Sequence, residues 1–479
     1  MSIHKTTAAS RRLLKVLTCS VLSIAVLNAV AQTTSKAVAA PAFGTFDRLF
    51  AADSLWNSRP VNPVLGTFVI PKSSYYPIVA AGTTSSGLFL AKSTDGPVTV
   101  SGITGTAGVA DPDSQNSRIV TVPRWPANVV PTANDDQEAD IYDPVTNIIH
   151  SFWGLRLVSG KWYAKLYAWS DAKGPGFGDP AHFYQGSRAA GVIPLAGMIR
   201  ASEVKDGQAY YSHALAMSMT YNGLSGKTPY IYPATSADIN AASTNTGGIP
   251  QGALLMLPAS YDTTKIANLD LRKVAETLKR YGAYVVDRND GTPFAIHVEG
   301  GVKYDLHNGG WDNAVATELD RIRANLRQVV SATSWVDGNG QPMTPKAAAP
   351  VNQLSMRGPW TRYSGTVDGA YDTITQSLNF PAAATQTVMV NGNSSGINKV
   401  VWGKVAPGTA QKFTVTATGG AKLKMQVYSG GTVVSDTGAL GDKASARVTW
   451  PATGGWFVLT AYSGVNQAST LRATLTPTQ

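Results

Sequence analysis

The sequence predicts a mainly β protein: a large antiparallel β-sandwich or jelly roll with peripheral helices, followed by a small C-terminal β-sandwich. Three observations predict it. Short apolar runs recur with a period of two. Gly 46 and Pro 27 punctuate them. Too few helical patterns alternate with the strands for a parallel α/β sheet. The 479 residues are 43% hydrophobic and 15% charged. That balance excludes a disordered chain and fits roughly two to four domains.

The first 31 residues carry Lys5, Arg11, Arg12 and Lys15 and no acid. An apolar run from Val16 to Val30 follows, and Ala29-Val30-Ala31 has the small-x-small form of a cleavage site. The pattern predicts a secretory signal peptide, and hence an extracellular or periplasmic protein. A membrane span would need about 20 apolar residues, so no membrane association is expected. Cys19, the single cysteine, lies inside that segment. The remaining chain has no disulfide and must rely on large cores. Removing the four basic residues from the net charge of +10 leaves +6. This is a mild bias toward anionic partners. No Lys/Arg run interleaves with aromatics, so no nucleic-acid partner is expected.

Residues 32–43 read as a linker and 44–338 as one dense domain. Strands are predicted at Val98–Val100, Ile119–Val122, Ala139–Tyr142, Ile148–Leu157, Trp162–Trp169, His213–Tyr221, Ala283–Val286 and Phe294–Val298. Two helices interrupt them. Asn268 caps the first, with Leu271, Val274, Ala275 and Leu278 on one face and Gly282 closing it. The second starts near Asp312 and runs through Val315, Leu319, Ile322, Leu326 and Val329. The Pro- and Ala-rich stretch 339–365 reads as a second linker. In 366–479, Phe413, Val415 and Ala417, then Leu423, Met425 and Val427, then Phe457, Leu459 and Ala461 alternate with polar residues. That is the pattern of half-buried antiparallel strands in an accessory β-sandwich, for which carbohydrate binding is a candidate role.

The stretch from Ala189 to Arg200 contains Gly191, Pro194, Gly197 and Arg200 in a G-x-x-P-x-x-G-x-x-R block. Glu203 follows, then His213-Ala214-Leu215. Tyr230–Ala234, Ile249–Ala253 and Arg280-Tyr281-Gly282 extend the pattern. Over residues 50–300 the chain resembles a widespread family of secreted bacterial proteins. The resemblance implies a β-rich, carbohydrate-active protein and no particular reaction. The chain departs from the family pattern at Glu138, Ser151 and Ala216, so family roles at those positions do not carry over.

The candidate chemistry lies in two segments. Asp143–Asn147 is a turn signal, and a hairpin centred on Val145 would set Asp140 opposite His150. Glu138, Asp140, Tyr142, His150 and Phe152 would then share one face, as an imidazole–carboxylate acid/base unit. Tyr211 and His213 are two apart and would line one groove, continued by Leu215, Met217 and Met219. Arg200 is suited to a sugar carboxylate, and Glu299 to a sugar ligand or an acid. His182, His297 and His307 read as surface residues. Trp153, Trp162 and Trp169 are candidates for stacking on sugar rings, with Trp153 and Trp169 taken as substrate contacts. Glu138, His150 and His213 do not have a recognised metal-ligand spacing. No metal or cofactor is therefore expected, with Ca²⁺ left open.

The expected function is a polysaccharide lyase acting on an anionic, uronate-containing polymer, as a monomer. His213 or His150 would be the base, Tyr211 the acid and Arg200 the carboxylate neutraliser. One alternative is a glycoside hydrolase using Glu138 with Asp140 or Glu299. The other is a non-catalytic glycan-binding surface protein.

Overall fold

A computed structural model describes residues 41–478 apart from 81–84, 104–119, 134–135, 179–185, 239, 305, 308–310, 347–349, 351, 355, 357–359, 363–369, 372–375, 392–404 and 406. The expected signal segment, most of the first linker and His182 lie outside the described residues.

The chain is mainly β. In order it forms β1 (Arg59–Leu65), β2 (Ile78–Ala80), β3 (Leu88–Leu90), β4 (Val98–Gly102), β5 (Val120–Val122), β6 (Ala139–Asp143), β7 (Ile148–Trp153), β8 (Arg156–Val158), β9 (Lys161–Ala164) and β10 (Leu166–Asp171). There follow β11 (Leu215–Thr220), α1 (Ala241–Thr244), β12 (Leu254–Met256), α2 (Leu269–Arg280), β13 (Ala283–Asn289), β14 (Ala295–His297), α3 (Asn313–Asn325), β15 (Arg327–Val336) and β16 (Pro342–Met343). An eight-stranded mixed sheet has the order β1-β15-β12-β13-β11-β14-β2, with β16 on β15. Two four-stranded sheets, β10-β7-β6-β3 and β5-β4-β9-β8, complete this body.

Side-chain alternation stacks these elements. Leu215, Met217 and Met219 of β11, with Ala283 and Val285 of β13, pack under α2 and α3. The alternate residues Ala216, Tyr284 and Val286 point the other way and meet Tyr142 and Ile149 of the β6–β7 hairpin. The far side of that hairpin, Ala139, Ile141 and Phe152, packs on Val100, Val122 and Ala164 of the third sheet. The central strands β11, β12, β13 and β14 are thus buried on both faces, which explains their unbroken apolar runs, whereas β1 and β15 are only partly buried. Burying each Leu, Ile, Val or Phe contributes roughly 1.5–3 kcal/mol.

The helices start where their caps demand. The Asn268 side chain accepts from the Leu271 N–H at 2.9 Å, and Gly282 ends α2 with φ 76°. A Cβ at Gly282 would meet the Leu255 carbonyl at 2.6 Å. Asp312 caps α3 through the Ala314 and Val315 N–H groups. That helix ends at Asn325, one turn earlier than its apolar spacing suggests, and Val329 belongs to β15.

The C-terminal body contains β17 (Trp360–Arg362), β18 (Ala370–Tyr371), β19 (Leu378–Phe380), β20 (Val388–Asn391), β21 (Ala410–Thr418), β22 (Lys422–Ser429), β23 (Thr432–Asp436), β24 (Ser445–Thr449), β25 (Gly455–Tyr462) and β26 (Ser469–Pro477). They form two five-stranded antiparallel sheets around Phe413, Val415, Leu423, Met425, Val427, Phe457 and Leu459. This body begins before residue 366. Leu354, Met356 and Trp360 are in its core, and Asn352 accepts from the Leu475 N–H at 2.8 Å. Their Pro-rich surroundings hid these apolar anchors from a composition-based boundary.

Candidate functional site

The β6–β7 hairpin decides which predicted residues meet. Asp143 pairs with Ile148, so the loop is the four residues 144–147 and not three. The Asp143 carboxylate accepts from the Val145 N–H at 2.9 Å, and Asn147 takes φ 59° to close the turn. The extra residue moves the register by one. His150 lies opposite Ile141, and Asp140 lies opposite Ser151. The expected Asp140–His150 unit does not exist, because the two side chains point to opposite faces.

His150 faces the third sheet. It is 3% exposed, its Nδ1 is 2.9 Å from the Tyr167 hydroxyl, and its Nε2 has no partner. Burial lowers its pKa from 6.5 to about 4, so the ring is neutral and structural. Trp169 pairs across the strands with His150 and packs against the same core. Trp153 donates its indole N–H to Asp136 at 2.8 Å, beneath the Lys165 ammonium.

Asp140 faces the large sheet, and here the inter-sheet space turns polar. Asp140 of β6 shares this side with Ser151, and Glu138, just before the strand, joins them through Arg188. The Arg188 guanidinium enters from the loop after β10. It contacts Glu138 Oε2 at 2.7 Å and Asp287 Oδ2 at 3.2 Å. Asp287 reaches this face through a β-bulge: Met217 pairs with Val285, but Ser218 pairs with Asp287. The extra residue, Val286, rotates the following carboxylate away from the helices and into the inter-sheet space. The Val286 carbonyl accepts from the Ala190 N–H at 3.1 Å, which ties the bulge to the Arg188 loop. Gly191 lets that loop turn, with φ 79° and Thr235 Oγ1 2.3 Å from where a Cβ would sit. Gly197 has φ 71° and lies as close to the Trp56 ring, so the glycines of the G-x-x-P-x-x-G block mark close approaches.

His297 is fully buried, not a surface residue. It follows Ile296 of the helix-side core, so it also points to the inter-sheet face. Neither of its nitrogens has a hydrogen-bond partner among the described residues, and the Asp140 carboxyl has the Ser86 and Ser151 hydroxyls beside it but outside strict hydrogen-bond geometry. Buried polar atoms are normally paired, so an unpartnered imidazole in one cluster with a weakly satisfied carboxyl marks a special site.

The electrostatics agree with that. Burial raises Asp140 from 3.8 to about 6, although Ser86, Ser151 and Arg188 favour its anion. Burial also raises Asp287 to about 6; Arg188 pulls it down and neighbouring Asp238 pushes it up. Burial pushes Glu138 upward as well, and Arg188 works against it. Burial, then the Arg188 charge, drives His297 well down and keeps it neutral. Asp287 is the member that reaches solvent, with its side chain 19% exposed. Asp238 is half-buried and accepts from Gln251 Nε2 at 2.6 Å.

A second cluster holds His213, Arg200 and Glu299. The His213 Nε2 lies 3.1 Å from Glu203 Oε1, and its Nδ1 lies 2.8 Å from the Ala214 carbonyl. Burial opposes the imidazolium, but the Glu203 carboxylate outweighs it and the His213 pKa is raised. With an acceptor at each nitrogen, the ring has no free lone pair for a substrate proton. The Arg200 guanidinium pairs with Glu299 at 2.9 Å and donates to the Phe46 carbonyl at 3.0 Å. The Tyr211 ring lies 6.3 Å from that of His213, as the spacing predicts, but it lines no open groove. It is 1% exposed in the core under α2, its hydroxyl lies 3.5 Å from that of Tyr304, and burial pushes its pKa up. Of the predicted lyase set, His213, Tyr211 and Arg200 are neighbours, with Tyr211 sealed in the core, whereas His150 lies apart beside Tyr167.

His307 stacks on Trp311 at 4.7 Å, at the start of α3. Among the described residues no group of three His, Cys, Asp or Glu side chains is arranged to hold a metal ion, and no helix is long and apolar enough to cross a membrane. No sequence pattern singles out Arg188 or Asp238. The one available signal was an acid, Asp287, directly after the apolar run Ala283–Val286.

No family model matches the chain, and no curated protein matches it. Solved structures give partial matches. One is a glycosylation-associated protein complex from Streptococcus agalactiae, with TM-score 0.19 and 11% identity over 23% of this chain; the match spans 39% of that chain. A second is accessory secretory proteins 1, 2 and 3 of Streptococcus pneumoniae, with TM-score 0.20 and 8% identity over 28% of this chain and 100% of that one. A third is a Bacillus endospore appendage, a disulfide-linked pilus, with TM-score 0.12 and 14% identity over 29% of this chain and 100% of that one. At these scores none of them bears on the architecture or the chemistry.

Proposed function

We propose that the protein is an exported carbohydrate-active enzyme that hydrolyses glycosidic bonds with carboxylates of the inter-sheet cluster. The observation that carries this is Asp287: a solvent-reaching carboxyl held at about 6, with Asp238 beside it and Arg188 behind. Glycoside hydrolysis uses two carboxyl groups, one protonated to release the leaving oxygen and one ionised. Asp287 is the proton donor in this reading and Asp238 the second carboxylate. The Glu138–Arg188 pair positions Asp287. This favours the paired-carboxylate reaction over β-elimination, because His213, the imidazole of the expected lyase set that reaches solvent, has both nitrogens engaged.

The test is a panel of neutral and acidic polysaccharides, read by reducing ends and by ultraviolet absorbance. Reducing ends without unsaturated product are expected. Activity should fall as pH rises past about 6, where Asp287 loses its proton. Asp287→Asn should reduce turnover by about 10²–10⁴-fold. Unsaturated product, no product across the panel, or an Asp287→Asn variant as active as the parent would overturn the reading.

A further inference from the structure

A cationic, aromatic surface lies at the end of the large sheet where β1 begins and α2 ends. Arg280, in the last turn of α2, lies 4.3 Å above the Tyr210 ring, and Tyr210 is 6.2 Å from Tyr281. Arg48 lies 3.7 Å above Phe43. Phe43 abuts Gly338, where a Cβ would meet its ring at 2.3 Å. Gly338 follows Val336, the cross-strand partner of Arg59. Backbone and rings thus bring Arg48 and Arg59 to one edge, and Arg48, Arg59 and Arg280 all bias the Tyr281 phenol electrostatically.

Little within the chain neutralises these charges. Arg280 is half-exposed and only loosely paired with Glu276, at 3.7 Å. Among the described residues, no carboxylate lies within ion-pair distance of Arg48 or Arg59. The nearby Glu203 is already engaged by His213. Three like charges with one loose counter-charge among them repel one another, and a bound anion relieves that repulsion.

We propose that Arg48, Arg59 and Arg280, with Tyr210 and Tyr281, form a binding surface for an acidic polysaccharide bearing uronate carboxylates. Guanidinium groups take carboxylates in a two-pronged geometry, and tyrosine rings cover sugar C–H faces while leaving hydroxyls in water. The proposal rests on the carbohydrate reading above and names its substrate class. Three arginines around two rings suit a short run of spaced carboxylates. A nucleic acid would call for a longer basic track.

The experiment measures binding of an octagalacturonate, its methyl ester and a single-stranded oligonucleotide of similar length to the full chain. The acid should bind with an affinity that weakens with salt, and the ester at least 10-fold more weakly. Arg59→Glu/Arg280→Glu should lose about 10-fold or more for the acid, and Arg59→Gln/Arg280→Gln an intermediate amount. Both positions are exposed, and an unchanged melting temperature would confirm intact folding. Equal binding by parent and variants, equal binding of acid and ester, or tighter binding of the oligonucleotide would overturn the proposal. Failure of the hydrolase reading is separate: it would appear as undiminished turnover in Asp287→Asn while uronate binding and its loss on charge reversal persist.

Discussion

The two faces of the β6–β7 hairpin are one residue apart in sequence and opposite in chemistry. On one face His150, Phe152 and Ile141 are packed among apolar residues, and the imidazole is kept neutral. On the other, Glu138, Asp140 and Ser151 face an arginine, another carboxyl and a second imidazole. Burial is nearly complete on both, so burial alone does not separate a structural polar group from a candidate functional one. What differs is company. The apolar face holds one histidine anchored by one phenol, whereas the polar face gathers several ionisable groups around a single charge. Such a gathering is expensive to fold, and function is the usual reason for retaining it.

The largest expected effect breaks that gathering at its centre. Arg188→Met leaves Glu138 and Asp287 without their cation, and Glu138 is buried. Removing one partner of a buried pair costs about 3–5 kcal/mol. Urea unfolding at neutral pH should show a loss of that size. Adding Glu138→Gln should restore much of it, since the uncompensated charge goes with it. A loss below about 1 kcal/mol for Arg188→Met would mean that the polar face is held by something other than this guanidinium.

A second test sets the two faces against each other by pH. Asp140 binds its proton more tightly folded than unfolded, about 6 against 3.8, so stability falls as pH rises through that window. Asp140→Asn should therefore stabilise at pH 7.5, by up to about 3 kcal/mol, and do little below pH 4. His150 has the opposite sign. The unfolded ring, at 6.5, takes a proton that the folded ring refuses until about 4, so stability falls as pH drops through that interval. His150→Phe should flatten the acid side of the profile and leave pH 7.5 almost unchanged. Denaturation midpoints between pH 4 and 8 check both. The same slope for both variants would dissolve the distinction between the faces.

Much of the architecture was legible in residue periodicity. The caps at Asn268 and Asp312 and the alternation in β21, β22 and β25 are local signals, and the structure follows them. The candidate site was legible only in part. A turn signal beside Glu138 and Asp140 points to them, but it does not fix their partners, because one extra loop residue inverts every side chain of a strand. Asp287 depends on a bulge at Val286, and Arg188 on a loop that returns to that bulge from about a hundred residues away. Both are tertiary consequences that no window along the chain contains. The second body starts early for a related reason: Leu354, Met356 and Trp360 are buried by strands that come later.

The smallest expected effect sharpens the comparison with a third environment. His213 is neither sealed in hydrocarbon like His150 nor bare like His297; its side chain is 16% exposed and faces Glu203. The Glu203 carboxylate raises the His213 pKa against the effect of burial. On Glu203 itself burial acts upward, but the imidazolium prevails and the carboxyl lies below its usual value. The histidine's contribution is complete below pH 6.5 and fades as pH rises through its raised folded value. The carboxylate's is complete above pH 4.5 and fades as pH falls through its lowered one. Both are therefore fully present between pH 4.5 and 6.5. His213→Gln should cost about 1.5–3 kcal/mol at pH 5.5, the range of a hydrogen bond to a charged group, and clearly less at pH 9. Paired urea titrations at those two values decide it. An equal loss at both would mean that His213 contributes packing alone, and that the charge on a half-buried imidazole is not set by the carboxylate it faces.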